Sequence, residues 1–231
     1  MSGMSDSSAA DLYRTLSSEL LVDAAVIAVR RDRMTTVTGE VTREIVEHFG
    51  AAAVVVVRDT PGADAGEREL LLIRQYRRPV GKYLWELPAG ILDLVGEEPL
   101  DAARRELAEE AGLAASTWHL LGDVVTSPGT SEEMCRIYLA EGVRELTGAE
   151  AGELPEAGGE EADMTRRWVP VSEAVDMVRR GEVVNSIAVA GILHVAVGTR
   201  RPVDATFDRV SGITDRRSAG REPGTDMKYV R

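Results

Sequence analysis

Three glutamates, Glu106, Glu109 and Glu110, crowd one short stretch of this chain, PLDAARRELAEEAGL, which begins at Pro99. Among them Leu100, Ala103, Leu107 and Ala111 recur at helical spacing, so about Pro99 to Ala111 is predicted to be a helix with a single apolar stripe. Pro99 suits a first turn, where its missing N–H costs nothing, and Gly112 suits the position just past the end. At about 100° per residue the glutamates share one face, opposite Ala103 and Leu107. Like charges three and four residues apart destabilise a helix. The segment therefore requires either full solvation of that face or a cation on it. Glu106 and Glu110 are one turn apart, so their oxygens can approach a common point. A hard divalent ion such as Mg²⁺ takes oxygen ligands and tolerates water and phosphate oxygens in its remaining positions.

For an acidic helix taken alone, a solvated face is the commoner outcome. Two features weigh against it here. The preceding turn, PAGILDLVGE, contains glycines that let a backbone carbonyl point toward the carboxylates. Arg105 also stands beside the cluster, where pairing with Glu97 would hold the turn against the helix.

These residues resemble the signature of the Nudix hydrolases: Gly, five residues, Glu, seven residues, then Arg-Glu-aliphatic-x-Glu-Glu-x-Gly-aliphatic. Glu97, Arg105, Glu106, Leu107, Glu109, Glu110, Gly112 and Leu113 fall on its positions. One departure is visible, since six residues rather than five separate Gly90 from Glu97. The resemblance implies an α+β fold, an α/β/α sandwich with a mixed sheet. It also implies hydrolysis of a nucleoside diphosphate linked to another moiety, with Mg²⁺ or Mn²⁺ as cofactor. By that carry-over Glu106, Glu109 and Glu110 are metal ligands, Ala89 contributes its carbonyl, and Arg105 and Glu97 are structural partners.

The wider sequence is similar to the ADP-ribose pyrophosphatase branch over about residues 20 to 200. The matching stretches are VTREIVEHFGAAAVV, QYRRPVGKYLWELPAG, SPGTSEE and GEVVNSIAVAG, with Pro128 fifteen residues after Leu113. The branch implies cleavage of ADP-ribose to AMP and ribose 5-phosphate. The alternatives are a broader nucleoside-diphosphate-sugar pyrophosphatase and a non-catalytic ADP-ribose sensor, against which the intact glutamates argue. Within the acidic, glycine-rich stretch from about Thr147 to Asp163, GGEEADM is similar to a catalytic loop of the branch. That likeness places a metal-binding and catalytic glutamate at Glu161, with Glu160 as second choice, and gives Glu109 a share in catalysis. Arg77 is expected to meet the diphosphate, since a guanidinium fork matches phosphate oxygens. Arg43 and Glu44 resemble the adenosine-binding pair. The branch further implies a homodimer.

The rest of the chain frames these expectations. Residues 1–15 read as a flexible N-terminus and 16–50 as an antiparallel strand region concerned with dimerisation and adenosine binding. Residues 51–202 read as the catalytic domain, and 203–231 as a disordered tail. DAAVIAVRRDRMTTV, VTREIVEHF, AAAVVVVRD, ELLLIRQYR, WHLLGDVVT and EMCRIYLAEGVRE read as strands. SEAVDMVRRG reads as a helix capped by Ser172, and NSIAVAGILHVAVG as a buried helix capped by Asn185. A net charge of −12 makes nucleic acid a poor partner. The single cysteine, Cys135, excludes an internal disulfide; in the alternating stretch EMCRIYLA it reads as a core residue. His48, His119 and His194 lack metal-ligand spacing. The longest apolar run is too short to span a bilayer, and the N-terminus lacks signal-peptide character. A soluble, cytoplasmic protein is expected.

Overall fold

The computed structural model describes residues 12–62, 66–152 and 163–230. Strands β1 (Thr15–Asp23), β2 (Ile27–Thr36) and β3 (Gly39–His48) form an antiparallel meander. A seven-stranded sheet follows, built from β4 (Ala51–Asp59), β5 (Arg68–Arg77), β6 (Lys82–Glu86), β7 (Ala89–Ile91), β8 (Leu113–Val125), β9 (Met134–Glu145) and β10 (Thr165–Pro170). Its main path is β10-β5-β4-β9-β8, with β6 on β5 and β7 on β4. The β4–β9 pair is parallel and its neighbours are antiparallel, so the sheet is mixed.

The central strand β4 reads AAAVVVVRD and is buried on both faces. Side chains alternate across a strand, which divides this run between two helical layers. Ala52, Val54 and Val56 pack with Ala103 and Leu107 of α1 (Pro99–Ala111). After a short α2 (Ala149–Gly152), two helices cover the other face: Ala51, Ala53, Val55 and Val57 face α3 (Val171–Arg179) and α4 (Ser186–Ala196), including Ala174, Ala188 and Ile192. This is the α/β/α sandwich expected from the sequence. Gly191 allows α4 to lie close on the sheet: a Cβ there would sit 2.7 Å from both Leu87 Cδ1 and Val55 Cγ2. No helix among the described residues is long and apolar enough to cross a membrane.

The box helix α1 forms as its pattern dictates. Leu107 and Ala103 are fully buried, Pro99 occupies the first turn, and Gly112 ends the helix at φ 64° with its N–H on Ala108 O. Asn185 caps α4, its side chain accepting from the Ala188 amide at 3.0 Å. Cys135 lies in the core, and burial raises its thiol pKa, so it stays protonated.

The structure departs from the sequence reading at five places. Strand β1 precedes the first strand read from the pattern, and β8 starts at Leu113 rather than at Trp118. Ser172 is not the cap of α3, because the extended residue before the helix is Pro170. Helix α4 is not buried all round: Leu193 is 41% exposed, and Val197 just past its end is 78% exposed, since the sheet covers one side alone.

The largest departure is the C-terminal stretch, which is ordered over 203–230. It contains α5 (Gly212–Ser218) and a 3₁₀ turn, Met227–Tyr229. Ile213 and Met227 are fully buried against Ala28, Phe49 and Val95. Arg217, 4% exposed, donates to the carbonyls of Ala25 and Met227 at 2.9 Å each. The pattern faded after Pro202 because this stretch is held by isolated anchors and ion pairs rather than by a periodic apolar face.

Candidate active site

Helix α1 presents its glutamates toward the turn that follows β6. At Gly90 a Cβ would lie 1.8 Å from Glu106 Oε1, so the backbone of the turn rests directly on that carboxylate. The Ala89 amide donates to Glu110 Oε2 at 2.8 Å. The Pro-Ala-Gly segment thus touches two of the three glutamates through its backbone, and a side chain at position 90 would push Glu106 away.

Arg105 ties the other side of the turn to the helix. Its Nε and Nη2 bond Glu97 at 2.9 and 3.1 Å in a two-pronged contact. Its Nη1 reaches Glu106 Oε1 at 2.5 Å and Glu109 Oε2 at 3.3 Å. One guanidinium therefore serves three carboxylates. Burial pushes the Glu106 carboxyl up to about 6, with Arg105 opposing and the charges of Glu109 and Asp93 reinforcing the rise. Among the described residues, no three acidic, histidine or cysteine side chains are gathered closely enough to hold a metal as they stand. Arg105 lies on Glu106 and Glu109, while the Ala89 amide holds Glu110.

The donor set nonetheless fits a hard divalent cation. Its oxygens are carboxylates, it carries more negative charge than Arg105 offsets, and its most buried member gains most from a further positive charge. Glu106, Glu109, Glu110 and the Ala89 carbonyl are the groups that would hold it.

The other expected residues are spread around this centre. Arg77, at the end of β5, forms a two-pronged pair with buried Glu86 of β6, with Nη2 to Oε2 at 2.6 Å. Arg43 and Glu44 lie exposed on β3; Arg43 donates to its neighbour's carbonyl on Thr42, and Glu44 pairs with Arg31 at 2.9 Å. The structure thus brings Ala89, Glu106, Glu109 and Glu110 together, whereas Arg43 and Glu44 stand on the separate three-stranded sheet. Glu160 and Glu161 lie outside the described residues. At the exit of their segment, the Tyr83 hydroxyl donates to Asp163 at 2.7 Å.

Sequence reasoning missed the pairing of Arg77 with Glu86 and the direct contact of Gly90 with Glu106. The first follows from antiparallel pairing of β5 with β6, where Arg77 sits opposite Lys82 and leans along the hairpin. The second had one local sign, a glycine in a turn facing a helix of carboxylates.

Helix, turn and mixed sheet together define a class. Residues 48–186 match the NUDIX domain, and the chain belongs to that family. It is 47% identical over 213 residues to an "ADP-ribose pyrophosphatase" of Mycobacterium tuberculosis, covering 89% of this chain and 97% of that relative. An "ADP-ribose pyrophosphatase" of Bacillus subtilis is 35% identical over 129 residues, covering 55% of this chain and 65% of the relative. A solved "ADP compounds hydrolase" shares the fold at a TM-score of 0.64 and 19% identity, covering 80% of this chain and 92% of that one.

Proposed function

We propose that this chain hydrolyses the diphosphate bridge of ADP-ribose, giving AMP and ribose 5-phosphate, with Mg²⁺ or Mn²⁺ as cofactor. The observation that carries the reading is the carboxylate set on α1, seated against Ala89 and Gly90 with one arginine among three acids. The 47% identity to an ADP-ribose pyrophosphatase over nearly its whole length supports the substrate.

When bound, the divalent cation neutralises the diphosphate and makes a nearby water more acidic. Glu106, Glu109, Glu110 and the Ala89 carbonyl hold it. Arg105 keeps Glu97 and the turn in place. Glu161, or Glu160 beside it, accepts the proton of the attacking water and shares in holding the metal, with Glu109 assisting. Arg77 binds the diphosphate through its guanidinium. Arg43 and Glu44 bind adenosine, reached across a homodimer by the three-stranded sheet. The protein works in the cytoplasm on a small nucleotide substrate.

Purified protein incubated with ADP-ribose and either cation should release AMP. No AMP with Mg²⁺ and none with Mn²⁺ would overturn the proposal. A competition series with ADP-glucose, GDP-mannose and diadenosine polyphosphates ranks ADP-ribose against broader nucleotide-sugar turnover.

A further inference from the structure

The turn between Gly90 and Glu97 is fastened on two sides. Arg105 holds one side through Glu97. The other side is held by the C-terminal segment, which runs antiparallel to it. The Met227 amide donates to Asp93 O at 2.8 Å, the Val95 amide to Thr225 O at 3.0 Å, and the Gly224 amide to Val95 O at 2.8 Å. Leu94 and Asp226 complete this short ladder. Val95 and Met227 are buried together, with Ile91, the residue after Gly90, packed against them. Beneath the ladder, Lys228 Nζ forms an ion pair with Asp93, which is 3% exposed, and stands 3.5 Å from Asp226. Among the described residues Lys228 is the one cation paired with Asp93. Arg217 fixes the segment from behind by donating to the Met227 carbonyl and to Ala24 and Ala25.

We propose that residues 224–228 are a positioning strap for the glutamate turn, with Lys228 as its positioning residue. This rests on the function proposed above and assigns part of that site's geometry to a distant stretch of chain. The physical reason is the burial of Asp93. A buried carboxylate needs a compensating cation, and without one the chain around it moves to reach water. Asp93 is two residues from Ile91, so such a movement would draw Gly90 off the Glu106 carboxylate. The strap prevents it by supplying the charge through Lys228 and three backbone hydrogen bonds through its ladder. Lys228 acts through Asp93 and the turn and is not itself a catalytic residue.

The test compares the full chain with Lys228→Met and Lys228→Arg, assayed with ADP-ribose and Mg²⁺ well below their melting temperatures. Misplacing a reacting geometry by about an ångström costs roughly 10- to 100-fold in rate. Lys228→Met should therefore lower kcat by about tenfold or more at saturating Mg²⁺, with KM for ADP-ribose within about twofold of the unmodified chain. Lys228→Arg, which keeps the charge, should restore kcat. Without any metal, amide exchange at Val95 should quicken in Lys228→Met while exchange at Leu107 in α1 stays as it was. Should Lys228→Met melt below the assay temperature, Lys228→Gln replaces it. That variant keeps a polar side chain near Asp93 but leaves its charge without a cation, and kcat should still fall. A strap that only stabilised the fold would lower the melting temperature and leave kcat, KM and the Val95 amide unchanged at the assay temperature. That result, or equal losses in the Met and Arg variants, overturns the inference while leaving the proposed function standing. No turnover by the unmodified chain overturns both.

Discussion

Two buried glutamates, Glu47 and Glu106, meet opposite fates in this molecule. Glu47 is 1% exposed and Glu106 9%. Burial resists ionisation of Glu47, but hydrogen bonds from Arg216 and Arg30 outweigh it and hold the carboxyl below its ordinary range. Arg216 takes both of its oxygens, and Arg30 adds a bond at 2.9 Å. Burial dominates at Glu106 and pushes its carboxyl up to about 6. Among the described residues the one arginine bonded to Glu106 is divided among Glu97, Glu106 and Glu109. The lesson is that burial alone does not distinguish a structural carboxylate from a functional one. The supply of protein cations does: where arginines satisfy the charge it locks elements together, and where they fall short the proposed site keeps charge that a cation from solution would offset.

The largest effect tests the satisfied member of the pair. Glu47→Gln takes the carboxylate from Arg216, while Arg30 keeps Asp32 and Glu132, and should lower stability by about 1.5–3 kcal/mol. Denaturant unfolding measures it, and a loss under about 1 kcal/mol would show that the network contributes no more than a surface pair. The carboxylates of the proposed site should behave in the opposite way. Glu110→Gln should cut turnover by at least about 100-fold with the melting temperature nearly unchanged, because a metal ligand matters more than the outer groups that orient it. Normal activity in that variant would remove Glu110 from the site.

Glu106→Gln should likewise lose activity, yet at pH 8 it should gain up to about 2 kcal/mol in stability, since a rise from 4.5 to about 6 is a cost of roughly that size to the charged form. A clear loss of stability would show that Arg105 satisfies this carboxylate after all.

The smallest effect is the pH dependence. For Glu47 the folded pKa is lowered, so its contribution is present above about 4.5 and is lost as pH falls through the depressed value. For Glu106 the folded pKa is raised, so folding favours its protonated form. Its penalty is full above about pH 6 and fades as pH falls toward 4.5. Unfolding curves of Glu47→Gln should therefore flatten on the acid side, and those of Glu106→Gln between about pH 7 and 4.5. Stabilisation by added Mn²⁺ should weaken as pH falls through about 6, where protons compete for Glu106.

How far the sequence reading reached is clear from particular elements. Helix α1 was legible because its stripe, its Pro99 start and its Gly112 end are local features that agree with one another. The uniform run AAAVVVVRD was legible as a buried strand, and the two helical layers followed once its alternation was known. Strand β1 was not legible, since most of its side chains are exposed and show no alternation. Nor was the C-terminal stretch: α5 has seven residues, and its buried Arg217 answers to Asp23, 194 positions earlier. Among the proposed site residues, the shared face of Glu106, Glu109 and Glu110 was readable from spacing. Asp93 with Lys228, 135 positions apart, and Arg77 with Glu86 were not.

The sequence by itself determined which carboxylates share a helical face, because helical phase is set by neighbours within a turn or two. Tertiary structure decided which buried carboxylates are fully neutralised. Arg216 reaches Glu47 across 169 positions, and Gly90 comes to rest on Glu106 only when β7 docks beside α1. Periodicity is a local property of the backbone. The balance of charge at a buried atom depends on every group that packing brings within a few ångströms, however far along the chain it began.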